Sequence, residues 1–176
     1  MRTFETEFKS FHQRLFNLKT FTFLASFIFF TYLILNFKLL TPSQSIIIQS
    51  LFSLIFIVFI IFESKTNIHK ITLDNEKIIL EGETFNKKWK KSITIKETKI
   101  ILKGIPSRNG LCSVIFYLKF KNLKNTYTLN KFETFSDEEI LEIFNEFKKL
   151  KEEKIILDER LVIYRIQEKI EKCPFR

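Results

Sequence analysis

The chain has 176 residues, with 29 Lys and Arg against 20 Asp and Glu, for a formal charge of +9. That length holds one domain plus anchors, not two full globular units. The charge does not select a nucleic-acid binder. Excess Lys, Ile and Phe with only three Gly is what an AT-rich genome would encode, and of the stacking groups that single strands need among the lysines, only Trp89 is present.

Taken in chain order, Phe4, Phe8, Phe11, Leu15 and Leu18 recur at spacings of three and four, with Arg2, Lys9 and Arg14 off that stripe. The pattern predicts an amphipathic helix over residues 1–19, lying on a membrane leaflet or packed on the rest of the chain. His12 falls off the stripe, as a solvated residue would.

Residues 20–37 then carry no charge and include eleven Phe, Leu or Ile side chains; residues 45–62 carry fourteen Phe, Leu, Ile or Val. A helix of that length is about 27 Å long, close to the ~30 Å hydrocarbon core. Each central Leu, Ile or Phe favours insertion by about 0.3–0.6 kcal/mol, which outweighs the hydroxyls of Thr22, Ser26 and Thr31. A buried helical pair in a soluble fold would have to be surrounded by more chain than exists. A cleaved signal peptide fits poorly, with Glu5 and Glu7 ahead of the run and no small-x-small site after Leu35.

The expectation is therefore a transmembrane hairpin (20–37, 45–62) turning through Lys38–Gln44 with its Pro42. Arg2, Lys9, Arg14, Lys19, Lys65, Lys70 and Lys77 flank it on one side, against Lys38 in the turn. That imbalance predicts an integral protein of the inner or plasma membrane with both termini cytoplasmic. Within the spans Gln49 reads as a helix–helix polar contact, worth about 0.6–2 kcal/mol.

Beyond residue 62 the apolar period shortens towards two. Strands are expected at Ile68–Leu73, Lys77–Glu83, Trp89–Lys96, Thr98–Lys103, Leu111–Lys121 and Tyr127–Asn130, separated by Asp74-Asn75-Glu76, by the loop Gly104–Gly110 and by Asn122–Asn125. Cys112 falls in the pattern of the long strand and reads as a small core residue. With Cys173 the only other cysteine, no disulfide framework or zinc spacing is indicated.

Ser136 with Glu139 three residues on forms a capping box, opening a helix whose stripe is Ile140, Ile143, Phe144, Phe147 and Leu150. A short strand at Ile155–Leu157 and a helix from Asp158 through Leu161, Ile166 and Ile170 complete the extension 152–176.

The fold class expected is α+β: the hairpin, then an antiparallel β-barrel or sandwich over 63–151 closed by a helix. The order of hairpin, strand meander and capped helix over about residues 18–151 resembles the bacterial pleckstrin-homology-like domains found behind paired membrane helices, in particular the YcxB-like group. The resemblance implies a binding or scaffolding module and no activity. Six strands are read here where that fold has seven.

The most distinctive run is Lys87, Lys88, Trp89, Lys90 and Lys91, followed by Lys96, Lys99 and Lys103, with Glu97 the one acid among them. Such a cluster can meet anionic lipid headgroups, at about 1 kcal/mol per basic residue. It can equally be a solvated edge strand that lysines protect from sheet-to-sheet association. Asp74, Asp137 and Asp158 each sit at a turn or helix start, Ser107 and Ser113 have no activating neighbours, and no phosphate loop occurs. The expectation is a non-catalytic protein without cofactor or metal, with membrane lipids or an unidentified protein as partner and no nucleic acid. An immunity protein against a membrane-targeting toxin, or a small subunit of a membrane complex, would fit the same features.

Overall fold

The computed structural model describes residues 1–16, 18–36, 41–105, 110–123, 125–130 and 134–173. The expected turn at Lys38 and the middle of the Gly104–Gly110 loop, with Ser107, lie outside them. The class is α+β with two antiparallel sheets and C-terminal helices. The chain divides into two compact units, one of residues 1–8, 67–83 and 88–176, the other of residues 9–66 and 84–87.

The first unit begins where the sequence pattern misleads. Arg2–Glu5 is a strand, β1, not the first turn of an amphipathic helix. Its residues alternate, and only Phe4 turns inward to 7 % exposure. A spacing of three and four is equally met by a short strand followed by a short helix, and β1 wins because a sheet edge is there to receive it. It pairs antiparallel with β2 (Thr66–Leu73), Phe4 opposite Ile71 and Glu5 opposite Lys70. Lys70 bonds Glu5 at 2.6 Å across that pair.

Two further strands, β3 (Lys77–Thr84) and β4 (Lys87–Thr94), complete a sheet in the order β1-β2-β3-β4. A second sheet holds β5 (Lys99–Ile105), β6 (Ile115–Lys121) and β7 (Thr126–Leu129) in that order. Among the described residues there are thus seven strands, the additional one being β1.

One core serves both sheets: Ile71, Leu73, Ile78, Leu80, Ile100, Leu118 and Phe120 are all buried in it. Helix α4 (Asp137–Leu150) covers it with the expected stripe, Ile140, Ile143, Phe144 and Phe147 being fully buried. Its capping box is formed, Glu139 N–H to Ser136 Oγ at 3.1 Å and Ser136 N–H to Glu139 Oε2 at 2.8 Å.

Among the described residues of the extension one helix forms, α5 (Leu157–Lys172), and the strand expected at Ile155–Leu157 does not. Leu157 and Leu161 are more than half exposed, whereas Ile166 is buried. Lys169 Nζ, 5 % exposed as a residue, reaches Asp137 at 2.5 Å and the Val114 carbonyl at 2.7 Å.

The cysteines overturn their sequence reading. Residues 111–113 form a 3-10 turn ahead of β6, which takes Cys112 out of the strand and leaves it exposed. It is joined to Cys173, at the end of α5, by a disulfide with a Cα–Cα distance of 5.7 Å. Two cysteines 61 residues apart carry no local signal of pairing; only the return of α5 to the base of β6 brings them together.

The second unit contains α1 (Phe11–Leu15), α2 (Leu18–Asn36) and α3 (Pro42–Ser64). Thr41 and Pro42 open α3, proline being tolerated in a first turn whose N–H groups have no helical partner. Among the described residues one helix, Ile46–Ser64, is long and apolar enough to cross a membrane; a shorter apolar stretch runs from Leu24 to Leu33.

Candidate functional site

The lysine run is divided by the fold. Lys87, Lys88, Lys90 and Lys91 stand on β4, an edge strand of the four-stranded sheet, and all four are exposed. Lys96 lies in the turn after β4, and Lys99 begins β5 at the edge of the other sheet.

Trp89 is half-buried and turned inward. Its ring lies 6.2 Å from that of Tyr127, and Lys91 Nζ sits over both, 5.6 Å and 5.4 Å from their centroids. On β4 Lys90 bonds Glu81 at 2.7 Å, holding that carboxyl below its ordinary range. Lys88 lies over the Phe8 ring at 5.3 Å, and Phe8 meets His69 edge-on at 5.1 Å. Burial lowers the pKa of His69, and Lys88 adds to that, against the opposing carboxylates Glu5, Glu81 and Glu83. These lysines are partly occupied within the fold.

A second basic surface was missed in the sequence. Register sets Lys99 directly opposite Lys121, and Lys103 opposite Tyr117. The residues between them, Ile100 opposite Phe120 and Leu102 opposite Leu118, are buried, so period-two alternation turns Lys99, Lys103, Lys119 and Lys121 to the outer face. Like charges directly opposite on a sheet are destabilising, and an anion between them would relieve that. The one-dimensional signal was present in Tyr117-Leu118-Lys119-Phe120-Lys121, but the charges that lie opposite it are some twenty residues earlier.

In the second unit a collar closes around the end of α3. Arg14, 1 % exposed, donates through Nε to the Ser64 carbonyl at 3.0 Å, through Nη1 to the Lys9 carbonyl, and through Nη2 to the Phe85 carbonyl at 3.4 Å. A cation on the last carbonyls of a helix also complements its dipole. The tip of the β3–β4 hairpin joins the collar: Phe85 N–H donates to the Lys65 carbonyl at 2.7 Å, and the hydroxyls of Thr66 and Thr84 are 3.3 Å apart. In the sequence Arg14 stands off the apolar stripe and among the basic residues flanking the spans, and neither place announces its burial. Gln49, the expected intramembrane contact, is half-buried on α3.

A cleft of about 410 Å³ lies between the start of α4 and the end of α5, lined by Asn130, Ser136, Asp137, Lys169 and Cys173 among others. Four of its polar residues are engaged within the fold, while the buried Thr134 hydroxyl finds no hydrogen-bond partner among the described residues. Asn130 Nδ2 donates to the Phe116 carbonyl at 2.8 Å and its Oδ1 accepts from Phe135 N–H at 2.9 Å, Ser136 caps α4, and Lys169 joins Asp137.

Comparison with protein-family models, with curated proteins and with solved structures returned no match.

Proposed function

We propose that this is a membrane-tethered, non-catalytic binding module. In this reading α2 and α3 cross the bilayer as a hairpin set into the β1–β2 connection. The two-sheet domain is pleckstrin-homology-like and presents lysines to anionic headgroups.

The observation that carries it is α3. Ile47, Ile55 and Phe59 are each more than half exposed, as are large apolar side chains on its other faces. In water such a helix would be strongly unfavourable, and in hydrocarbon it has all its backbone bonds satisfied. Four strands, three strands and a covering helix support the pleckstrin-like assignment, and the lysines of β4 and of the β5–β6 face support headgroup contact.

Membranes washed with alkaline carbonate should retain the full chain; release into the wash would end the reading. For the headgroup step, residues 9–66 are replaced by a short turn, which rejoins β1 to β2 where Thr6 N–H already bonds the His69 carbonyl at 2.9 Å. That domain should float with phosphatidylglycerol vesicles and not with phosphatidylcholine vesicles. Flotation should fall with salt and with Lys87, Lys88, Lys99 and Lys121 changed to Gln.

The disulfide favours a second orientation. The basic flanks argue for cytoplasmic ends, but a structural Cys112–Cys173 bridge persists in an oxidising compartment and is kept reduced in the cytosol. Protease added to intact spheroplasts discriminates: domain protection supports cytoplasmic ends, and domain digestion supports the reverse.

A further inference from the structure

Phe85 is an unusual residue for the place it occupies. It sits at the tip of the β3–β4 hairpin with φ +54°, in the left-handed region that suits Gly or Asn and not a bulky side chain. Its surroundings impose the conformation. The N–H is taken by the Lys65 carbonyl and the carbonyl by Arg14. The ring meets Phe11 edge-on at 5.4 Å and lies 5.7 Å from Lys65 Nζ. The residue is nevertheless 41 % exposed, so the collar holds it without covering it.

Depth is fixed by the same bonds. Lys65 is the residue that ends α3, so a hydrogen bond of 2.7 Å ties Phe85 to the level of the helix terminus. Lys9 and Lys65, half-exposed, and Lys87, exposed, belong to the same unit, and Glu63 is the only acid in residues 9–66 and 84–87. An aromatic ring with Lys65 beside it at the end of an apolar helix, in a unit whose charged residues are basic but for Glu63, has the composition of a bilayer interface.

We propose that Phe85 is an interfacial anchor. Its ring enters the headgroup–acyl boundary of an anionic leaflet at the level where α3 ends, with Lys9, Lys65 and Lys87 facing lipid phosphates. This rests on the membrane reading above and adds to it a lipid-contacting residue outside the apolar helices.

The test uses the full chain in phosphatidylglycerol–phosphatidylcholine vesicles. Trp89, the only tryptophan, is changed to Phe, and a single reporter is introduced as Phe85→Trp or, separately, as Phe62→Trp. Quenching by lipids brominated at graded acyl depths is then read for each. The expected result is blue-shifted emission from position 85, quenched at least twofold more by shallow than by deep bromines. Adding Lys65→Gln and Lys87→Gln should red-shift it. A quenched reporter at 62 with a water-like, unquenched reporter at 85 overturns the anchor and leaves the membrane reading standing. No quenching at either position overturns both.

Discussion

Single side chains in this protein hold junctions that no local pattern announces. Gly82 is the sharpest case. A Cβ built there would stand 2.5 Å from the Asn67 carbonyl oxygen and 2.6 Å from Trp89 Cζ2. The glycine thus makes room for the indole that turns inward from β4. Gly82→Ala should cost about 1–3 kcal/mol, the range for overpacking a tight site, and should displace Trp89. Because Trp89 is the only tryptophan, its emission reports the displacement directly; an unchanged spectrum with unchanged stability would refute the packing account. Arg14 has the corresponding place in the other unit, where one guanidinium satisfies carbonyls from three separated stretches, at Lys9, Ser64 and Phe85.

Among the elements, α5 depends most on contacts made at a distance. It begins against Lys148, 8 % exposed as a side chain, which bonds Glu159 at 2.9 Å and Glu153 at 3.2 Å. It ends on Lys169 and on the disulfide. The bridge closes a loop of 61 residues. Chain entropy then gives an upper estimate of about 4 kcal/mol for its contribution. Reductant, or Cys112→Ser with Cys173→Ser, should lower the melting temperature of the rejoined domain and raise hydrogen exchange first in the last turns of α5. Equal protection with and without reductant would show that the bridge contributes nothing to docking.

The start of α5 should also respond to pH. Burial works to lower the pKa of Lys148, but bonds to Glu159 and Glu153 outweigh it, so the net shift is upward from 10.5. Glu153 moves downward from 4.5, chiefly through its bond from Lys151, with burial opposing and Lys148 assisting. The Lys148 contribution is therefore complete below 10.5 and is lost as pH rises through the raised value. The Glu153 contribution is present above 4.5 and is lost as pH falls through the depressed value. Lys148→Met should lower the denaturant midpoint most on the plateau between these limits and flatten its decline at both ends. A constant difference from the native chain at every pH would exclude the ion pairs as its origin.

At the scale of the molecule, the informative feature is the order of elements. β1 lies ahead of α1, α2 and α3, and its partner β2 lies behind them, so the helical stretch interrupts a β-hairpin. The two-sheet unit cannot be excised by cutting at residue 63, since β1 would be left behind with Phe4 and with Arg2, whose guanidinium pairs with Glu142 and bonds Glu146 at 3.1 Å on α4.

How much of this could be read in one dimension follows from the range of the forces involved. The apolar runs, the capping box at Ser136, the α4 stripe and most strands after residue 66 rest on neighbours within a few residues, and they stand close to where the sequence put them. Composition and period are sufficient there, because a helix or strand with one apolar face has few ways to bury it. The strand at Arg2–Glu5, the Cys112–Cys173 bridge, Lys99 opposite Lys121 and the burial of Arg14 each join positions from about 20 to more than 60 residues apart. Those pairings are chosen by which edge, carbonyl or sulfur the folded chain brings within reach, and only the tertiary structure fixes that distance.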